Sequence, residues 1–449
     1  RAAVVAAAVV VRGATYEICV ERLMNNGYYI TDIVGRPGHP DLLYLVDRRG
    51  YLLAVNRADG SELGERTNGA DMPAPASVVY DFTADTPAGL SEMGLLSLVF
   101  HPTDNTRLFL YQTMATTRDG QWGPAASVGT VFEVRLTSAT TLDATLGGAQ
   151  HGVRKIILEQ VQSAQNHNGG TLFFDSAGML MFSFGDDEQI RTRPGNAFAS
   201  GSLLGAIVRV NIDGATATAN YTIPSDNPTG TFARPEIWAD GFRNPWKCSW
   251  DAVTERVICG DVGDEGWEEV DVVAAGDRHG WPTFEGTHCK APHLQVSEAE
   301  CDANRANYVF PVLEYTYSSV IGGHIQRNSV DPRLNGVYVF ADVGRRIVYV
   351  DGVGYRHGTG NHIVGVENPV PGPSTTSTAR LPNVHTLNVN RCLQNTTATG
   401  GPCVDSGEPE WEGPVNTFWT ISRDLDGRLY ASENNHGWVR LVDPRHCGI

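Results

Sequence analysis

The sequence is poor in positive charge and has no clustered basic segment. Its 34 Lys and Arg residues are outnumbered by 51 Asp and Glu residues, which gives a formal net charge of −17 at pH 7. Because an acidic protein repels phosphate backbones, this balance argues against a nucleic-acid partner. The longest apolar run, Ala2–Val11, covers ten residues, whereas a membrane-spanning helix needs about 20. We therefore expect no membrane span, and strand structure rather than a signal peptide in that run.

A Cys-x-x-Cys motif is absent, although the sequence contains eight cysteines. Six of them form three closely spaced pairs and the other two lie near opposite ends, so we predict the disulfides Cys248–Cys259, Cys289–Cys301, Cys392–Cys403 and Cys19–Cys447. Metal-binding thiolates are the weaker interpretation, because zinc sites use closer ligand spacing. Two Asn-x-Thr sequons, at Asn220 and Asn395, agree with a secreted, disulfide-bonded glycoprotein.

Helical periodicity is also almost absent from the sequence. Short apolar segments, alternating or rich in β-branched residues, end at turns that contain Asp and Gly. These strand-turn-strand units recur near Asp47, Asp175, Asp251, Asp342 and Asp426. Hairpins spread along a chain of 449 residues predict an all-β, six-bladed propeller stapled by disulfides, with roughly 75 residues per blade. We expect a single domain, 1–449, with a loop-rich insertion at about 367–412.

Seven further motifs occur in order along the chain. They are GLLSLVFHP (94–102), QNHNGGTLFF (165–174), FSFGDD (182–187), GSLLGAIVRVNIDG (201–214), GFRNPWKCSWD (241–251), CGDVGDEGWEEVDVV (259–273) and GWPTFEG (280–286). Together they resemble the glucose/sorbosone dehydrogenase superfamily of six-bladed propellers, over roughly the whole span between the first and last cysteines. The cysteine pairs in CSWD/VICGD and THC/ECD, with IPSDNP (223–228), are most similar to the Hedgehog-interacting-protein-like branch. A shared fold alone does not fix the function.

The resemblance implies a candidate catalytic pair. In the dehydrogenases of the superfamily, pyrroloquinoline quinone (PQQ) lies on the top face, and a His removes the proton of a sugar hydroxyl while hydride passes to the quinone. That His matches His167 here, and the Asp that orients it matches Asp186. A neutral imidazole held by a carboxylate can accept a proton at pH 7. The alternative is structural: Asn166, His167 and Asn168 bind loop carbonyls around the central channel.

The resemblance also implies calcium ligands. The segment GDVGDEGWEEVD matches the calcium loop of the family, in which the carbonyls at the positions of Gly263 and Asp264 hold one Ca²⁺ and the carboxylate at Glu269 serves another ion. Dense carboxylates suit this hard cation, whereas the alternative is a solvated acidic turn. One residue departs from the family: its usual Tyr ligand for the second ion is His279 in this chain.

The quinone pocket of the family is matched only in part. Arg243 and Asn244 correspond to the Arg-Asn pair that contacts the quinone, although an Arg before Asn-Pro also suits a turn. Glu92 replaces a neutral Gln. The catalytic branch balances the carboxylates of the quinone with a Lys and two Arg residues, and by hairpin alignment these positions hold Gly344, with Arg345 beside it, Thr417 and Trp419. Possible replacement cations are Arg345, Arg346 and Arg423.

These departures predict a change of function on a retained scaffold. We expect a secreted propeller that keeps the calcium loop, has lost quinone-dependent catalysis, and binds an extracellular protein or glycan through its top-face loops, including the loops closed by Cys289–Cys301 and Cys392–Cys403. Each missing charge-assisted bond to the quinone forfeits roughly 1.5 to 3 kcal/mol. The alternative is a PQQ- and calcium-dependent sugar dehydrogenase that uses His167 as its general base.

Overall fold

The computed structural model describes most of the chain between residues 17 and 442. The described ranges are 17–22, 28–61, 63, 77–87, 92–115, 127–188, 201–216, 219–290, 297–315, 319–327, 335–343, 346–350, 384–386, 388–391, 418–433 and 437–442. Strands dominate these ranges. The helices within them are α1 (Gly148–His151) and α2 (Glu298–Asn304), with 3-10 turns at Thr83–Asp85 and Arg305–Asn307. None of the described helices is long and apolar enough to cross a membrane.

Twenty-seven strands are present in the described residues. The first fourteen are β1 (Glu17–Arg22), β2 (Ile30–Arg36), β3 (His39–Asp47), β4 (Tyr51–Asn56), β5 (Val78–Asp81), β6 (Leu95–Phe100), β7 (Arg107–Ala115), β8 (Ser127–Arg135), β9 (Lys155–Gln162), β10 (Leu172–Phe174), β11 (Leu180–Phe184), β12 (Ala206–Val210), β13 (Ile237–Asp240) and β14 (Pro245–Asp251). The others are β15 (Arg256–Asp261), β16 (Glu268–Val273), β17 (Phe284–Glu285), β18 (His288–Cys289), β19 (Leu313–Tyr315), β20 (Val320–Ile325), β21 (Tyr338–Asp342), β22 (Arg346–Val350), β23 (Val384–Thr386), β24 (Asn388–Arg391), β25 (Phe418–Arg423), β26 (Leu429–Glu433) and β27 (Gly437–Val442).

The strands form a series of twisted, mainly antiparallel sheets. In chain order they are sheet 1 (β2-β3-β4-β5), sheet 2 (β6-β7-β8-β9), sheet 3 (β10-β11-β12-β13), sheet 4 (β14-β15-β16-β19), sheet 5 (β20-β21-β22-β23) and sheet 6 (β24-β1-β27-β26-β25). The β17-β18 hairpin is inserted between β16 and β19. The first strands of sheets 1 to 5 contact one another in order, β20 of sheet 5 contacts β25 of sheet 6, and β25 contacts β2, so the sheets stand around a common centre. The predicted all-β propeller fold is confirmed.

One buried apolar cluster joins neighbouring sheets near the centre of the ring. It includes Phe109, Phe182, Trp246, Val339 and Ile421, which come from sheets 2 to 6. Alternating side chains of each strand point to opposite faces of a sheet, so both faces contribute to the packing between sheets. This interior holds the ends of the strands, and the loops between them, in fixed positions.

Sheet 6 contains strands from both ends of the described chain. β1 lies between β24 and β27 and runs antiparallel to β27, with Cys19 opposite Val442. This pairing closes the ring of sheets. The predicted Cys19–Cys447 bond involves Cys447, which lies outside the described residues. β23 and β24 are described and fall inside the segment predicted as an insertion, 367–412. The rest of that segment lies outside the described residues.

Two of the predicted disulfides are present. Cys248 and Cys259 are directly opposite on β14 and β15, with Cα atoms 4.1 Å apart, and Cys289 of β18 is bonded to Cys301 of α2. The second bond ties the inserted hairpin to α2, whose first turn is closed by a capping box between Ser297 and Glu300. The predicted Cys392–Cys403 bond lies outside the described residues.

The predicted hairpins form as the turn chemistry requires. Asp175, between β10 and β11, shows the reason: its Oδ1 accepts the N–H groups of Ala177 and Met179, while Gly178 takes φ +77°. An Asp side chain that satisfies backbone donors, followed by a Gly in the left-handed region, stabilises a tight turn. The segments near Asp47, Asp251, Asp342 and Asp426 likewise join consecutive strands of one sheet.

Candidate functional site

His167 lies in the loop between β9 and β10 and adopts a backbone conformation that side chains rarely take. Its φ is +57° and it is 8% exposed. The loop is held by Glu92, whose Oε2 accepts the backbone N–H of His167 at 2.7 Å. Gly185 allows a second loop to approach, because a Cβ at that position would collide with the carbonyl of His167. Strained backbone held by its surroundings is typical of functional sites.

Asp186 fixes the orientation of the His167 ring. Its Oδ1 lies 2.6 Å from His167 Nδ1 and also accepts the N–H of Glu188 at 3.0 Å, while Oδ2 accepts the indole N–H of Trp281 at 2.8 Å. A carboxylate only accepts, so Nδ1 is the donor in this contact and Nε2 is the ring nitrogen that can act as an acceptor. The predicted pair is therefore brought together, with Asp187 and Glu188 also in the left-handed region at φ +60° and +52°.

Glu92 and Asn244 have structural partners in the site. Asn244 Nδ2 donates to Glu92 Oε2 at 3.2 Å, and Asn244 Oδ1 accepts the N–H of Gly169 at 3.1 Å. Glu92 thus serves the backbone of His167 and the side chain of Asn244 with the same oxygen. Both ends of the Asn244 amide are engaged within the protein. These bonds join loops of sheets 2, 3 and 4 around the pair.

Arg243, predicted to face a quinone, is bound to neighbouring acceptors. Its Nη1 donates to the carbonyl of Val262 at 3.0 Å, and its Nη2 lies 3.3 Å from Asp264 Oδ1. Its guanidinium carbon lies 5.5 Å from the ring centroid of Trp281, within cation–π range. Asp264 also binds a second cation, Lys290, whose Nζ is 3.2 Å from Oδ2. Sequence reasoning missed Lys290, because it is brought here by the inserted hairpin and belongs to none of the motifs.

The acidic loop that follows β15 wraps around a carboxylate. Glu285 Oε1 accepts four consecutive backbone N–H groups, those of residues 264–267, at 2.6 to 3.1 Å, and Oε2 accepts from Lys290 at 3.0 Å. Although burial raises the pKa of Glu285, these donors outweigh it and hold the pKa below its usual range. The N–H of Gly263 donates to Glu268. The predicted calcium residues Gly263 and Asp264 therefore lie in a loop whose amides converge on Glu285.

Glu269 belongs to a different group, the carboxylate cluster of Asp261, Glu269 and Asp271. Asp261 and Glu269 are opposite each other on β15 and β16, and Asp271 lies two residues further along the same face of β16. One oxygen from each of the three lies within 4.8 Å of the others. Asp271 is 1% exposed and its Oδ2 has no hydrogen-bond partner. Within the described residues Asp264 is not part of this cluster.

Each carboxylate of the cluster is anchored on one side. Asp261 accepts the backbone N–H groups of residues 243 and 244, Glu269 Oε1 accepts that of Gly286, and Asp271 Oδ1 lies 3.1 Å from His279 Nδ1. Burial, with the charge of Asp271, raises the pKa of Asp261 to about 8 and that of Glu269 well above its usual range. Burial lowers the pKa of His279, but Asp271 outweighs it, so that pKa is raised. Three buried carboxylates with oxygens turned inward suit a divalent cation.

The remaining predicted positions are distributed as follows. Asn220 is exposed in a surface loop, as a glycosylation acceptor requires. Arg423 donates to the carbonyl of Ile325, close to the Asp251 end of β14 and away from the Asn244 end, so it does not replace a pocket cation. Arg345 and Asn395 lie outside the described residues, as do residues 344 and 417, and the side chains of residues 346 and 419 are likewise outside them.

Comparison with known proteins was made for both sequence and fold. The chain is 26% identical to the HIPL2 protein of Arabidopsis thaliana, over 73% of this chain and 52% of that protein, and 22% identical to human Hedgehog-interacting protein, over 67% and 39%. It thus spans about half the length, or less, of these curated relatives. Two solved structures share the fold: soluble aldose sugar dehydrogenase of Escherichia coli in its apo form (TM-score 0.63, 18% identity, 95% and 100% of the chains) and the PQQ-bound aldose sugar dehydrogenase of Streptomyces coelicolor (TM-score 0.58, 17% identity, 95% and 98%).

A sequence model of one protein family matches most of the described core. The match covers residues 45–341, from β3 in sheet 1 to β21 in sheet 5, and so includes the His167–Asp186 pair and the carboxylate cluster. The chain therefore belongs to the glucose/sorbosone dehydrogenase family and is related to the HIPL and Hedgehog-interacting proteins.

Proposed function

We propose that this chain is an extracellular binding module: a secreted, six-bladed propeller whose top face, the end of the sheets where His167 lies, binds a protein or glycan. Each of the six sheets is one blade, and residues 1–449 form one domain with an insertion at about 367–412. The quinone pocket of the family is degenerate. The observation that carries this proposal is that Arg243, whose carbonyl binds the N–H of Asp186, and Lys290 are already paired with carboxylates of the chain.

The charges beside His167 do not fit an anionic cofactor. Arg243, Asp264, Lys290 and Glu285 form an alternating chain of two positive and two negative groups, with contacts of 3.0 to 3.3 Å. Glu92 adds a further carboxylate next to His167. A quinone with several carboxylates would have to compete with Asp264 and Glu285 for these cations, and charge-assisted bonds of this kind contribute about 1.5 to 3 kcal/mol each. Its affinity is expected to be low.

A protein partner is supported by the relationship to Hedgehog-interacting protein, whose name states such a partner. The top-face surface that would meet it includes the β17-β18 hairpin, which follows Trp281 and is tied to α2 by Cys289–Cys301. A disulfide-closed loop presents a preformed surface and so loses less entropy on binding. We further propose that the loop closed by Cys392–Cys403 belongs to this top-face surface. Asn220 and Asn395 are proposed to carry glycans.

The carboxylate cluster is proposed to hold Ca²⁺. The donor set fits: three carboxylates, each anchored on one side, and an unpaired oxygen on buried Asp271. When bound, the cation would neutralise charges that otherwise repel one another at the centre of sheet 4. The ligands would be Asp261, Glu269 and Asp271, with His279 orienting Asp271. The sequence assigns Glu269 to an ion other than the one held by the carbonyls of Gly263 and Asp264, and Asp261 and Asp271 are the further ligands proposed for that ion.

A second candidate function, sugar dehydrogenase, is favoured by the geometry of His167 alone. Asp186 holds Nδ1 and Trp281 holds Asp186, so Nε2 is positioned to accept a proton from a hydroxyl group. The quinone, when bound, supplies the electron acceptor in dehydrogenases of this family. The residues present support the proton-accepting half of such a reaction and not the binding of the acceptor.

Reconstitution with Ca²⁺ and the quinone separates the two functions. We expect no stoichiometric quinone absorbance at micromolar concentration and no dye reduction over a panel of sugars. The variant Asp264→Asn frees Arg243 and loosens Lys290, so it is expected to bind the quinone at least tenfold more tightly than the parent protein, as one lost charge pair predicts. Glu265→Gln, which removes an exposed charge from the same loop, is the control. A stoichiometric quinone spectrum in the parent protein, lost in Arg243→Ala, would restore the enzyme.

A further inference from the structure

Asp261 belongs to two parts of the molecule at once. Its carboxylate is a member of the cluster with Glu269 and Asp271. The same carboxylate accepts the backbone N–H of Arg243 at 2.9 Å through Oδ2 and that of Asn244 at 2.6 Å through Oδ1. Any movement of this carboxylate toward a cation therefore pulls on the backbone of residues 243–244.

From residues 243–244, separate bonds reach both members of the His167–Asp186 pair. The carbonyl of Arg243 accepts the N–H of Asp186 at 2.7 Å. The side chain of Asn244 donates to Glu92, which in turn accepts the N–H of His167. One dipeptide thus holds the backbones of both His167 and Asp186, and Asp261 holds that dipeptide.

The pair depends on these bonds because its backbone is not in a relaxed conformation. His167, Asp187 and Glu188 all have φ between +52° and +60°, a backbone region that non-glycine residues rarely adopt. A conformation of this kind persists only while the surrounding contacts fix it. A small displacement of residues 243–244 is therefore expected to change the contact between His167 and Asp186.

The cluster is the element that can take up two arrangements. Without a cation, three buried carboxylates repel one another or bind protons; with one, their oxygens converge on the ion. The unpaired Oδ2 of Asp271, in a side chain that is 1% exposed, is an independent sign that a partner belongs between them. Only Asp261 connects this change directly to residues 243–244 in the described part of the chain.

We propose that Asp261 is a positioning residue that couples cation binding at the carboxylate cluster to the alignment of His167 with Asp186. The cation completes the top-face site without touching it. This inference rests on the proposed cation site, and it applies whether the top face binds a partner or a substrate, because both would meet the same His167 loop.

The test observes His167 by NMR in the full chain labelled with ¹⁵N-histidine, and it measures Ca²⁺ binding separately by calorimetry. The His167 signal is identified by its loss in His167→Gln. We expect saturating Ca²⁺ to move this signal by several line widths in the parent protein. In Glu269→Gln, which keeps the Asp261 bonds, we expect at least a tenfold loss of Ca²⁺ affinity, and a signal that moves less than in the parent protein at the lowest Ca²⁺ concentration that saturates the parent protein.

Asp261→Asn tests the coupling without any cation. An amide can accept only one of the two N–H groups, so the His167 signal is expected to shift in the absence of Ca²⁺. Asp251→Asn, which alters a buried carboxylate at the other end of β14, is the matched control and is expected to leave the signal in place. If Asp261→Asn does not fold, Glu269→Gln still decides the question.

The outcomes distinguish the coupling from the cation site. Ca²⁺ binding in the parent protein with an unmoved His167 signal overturns the coupling and leaves the cation site standing. Absence of Ca²⁺ binding in the parent protein overturns both. A His167 signal that moves equally in Glu269→Gln and in the parent protein also overturns the coupling, because the cation would then act from elsewhere.

Discussion

The His167–Asp186 pair and the carboxylate cluster lie on opposite sides of the same dipeptide, yet they differ in how completely their charges are matched. Both oxygens of Asp186 accept hydrogen bonds, from His167, Glu188 and Trp281. Within the described residues, the cluster has no ion pair with a Lys or Arg side chain, and its nearest cationic group is His279. The charge of the His167–Asp186 pair is matched by groups of the protein itself, whereas the carboxylate cluster requires protons or a cation to be stable.

This difference is expected to appear most strongly in the pH dependence of stability in a chelator. The pKa values of Asp261, at about 8, and of Glu269 are raised, so the folded state holds protons that the unfolded state has released above about pH 4. Their contribution to stability is therefore present at acid pH and lost as the pH rises through 8. We expect a decrease of about 3 kcal/mol in the free energy of unfolding between pH 5 and pH 8.

The raised pKa of His279 acts in the same direction, since its proton is also lost as the pH rises. Denaturant unfolding at several pH values, in a chelator and in excess Ca²⁺, measures the effect, and the calcium series serves as the control because the cation replaces the protons. A calcium-free protein whose stability is constant from pH 5 to pH 8 would mean that the three carboxylates are not destabilised by burial.

The second prediction concerns calcium at pH 8, where the carboxylates of the cluster give up their protons to a cation more readily than at pH 5. A ligand that binds only the folded state adds about 2.7 kcal/mol at a concentration 100 times its dissociation constant. Ca²⁺ is therefore expected to raise the melting temperature by several degrees at pH 8 and by less at pH 5, where protons compete. Calorimetric scans with Ca²⁺, chelator and an equal concentration of Na⁺ test this. An equal response at both pH values would separate calcium binding from the cluster.

The features that could be predicted from the sequence are those decided by neighbours along the chain. The turn at Asp175 and the Cys248–Cys259 bond each depend on local residues, and both are confirmed. His167 and Asp186 were found through their motifs. Acidic residues in one segment predict a hard cation, which stays a prediction, and the grouping of Glu269 with Asp261 and Asp271 depends on the register of β15 and β16.

Other parts of the site depend on contacts between distant residues and could not be predicted in this way. The bond between Trp281 and Asp186 spans 95 positions, and that between Glu92 and Asn244 spans 152. The sequence alone identifies Glu92 as a charged residue in place of a neutral Gln of the quinone pocket. In the structure it accepts the N–H of His167, so its charge has a structural use. Lys290 reaches Asp264 only because the inserted hairpin folds over the acidic loop.

A third prediction uses Asp186→Asn, which alters the complete pair. An amide supplies one acceptor where the carboxylate supplied two, so the N–H of either His167 or Trp281 loses its partner in a buried position. We expect a loss of about 2 kcal/mol, equal in chelator and in Ca²⁺, since the carboxylate cluster is not altered. Trp281→Phe, which removes only the indole donor, is the partner variant in a double-mutant cycle. A loss that depends on Ca²⁺ would argue that the two regions share one site.

The smallest effect on the free energy of unfolding is expected from Glu269→Gln. The variant is expected to be more stable than the parent protein in chelator and less stable in Ca²⁺. Gln keeps an oxygen for the N–H of Gly286 but, unlike Glu269, has no proton to release on unfolding, so the chelated protein at pH 8 is expected to gain on the order of 1 kcal/mol, the value of a one-unit shift in pKa. With Ca²⁺ the variant loses a ligand and falls below the parent protein.

Glu268→Gln is the matched control for this sign change, since Glu268 lies on the other face of β16 and accepts the N–H of Val320. It is expected to keep the full response to Ca²⁺. Chemical denaturation of the parent protein, Glu269→Gln and Glu268→Gln at pH 8 is measured in chelator and in Ca²⁺. It gives six free energies of unfolding that can be compared directly. If Glu269→Gln is destabilised to the same extent in both conditions, its carboxylate contributes to folding in the same way as Asp186, and the contrast between a complete pair and an incomplete cluster is lost.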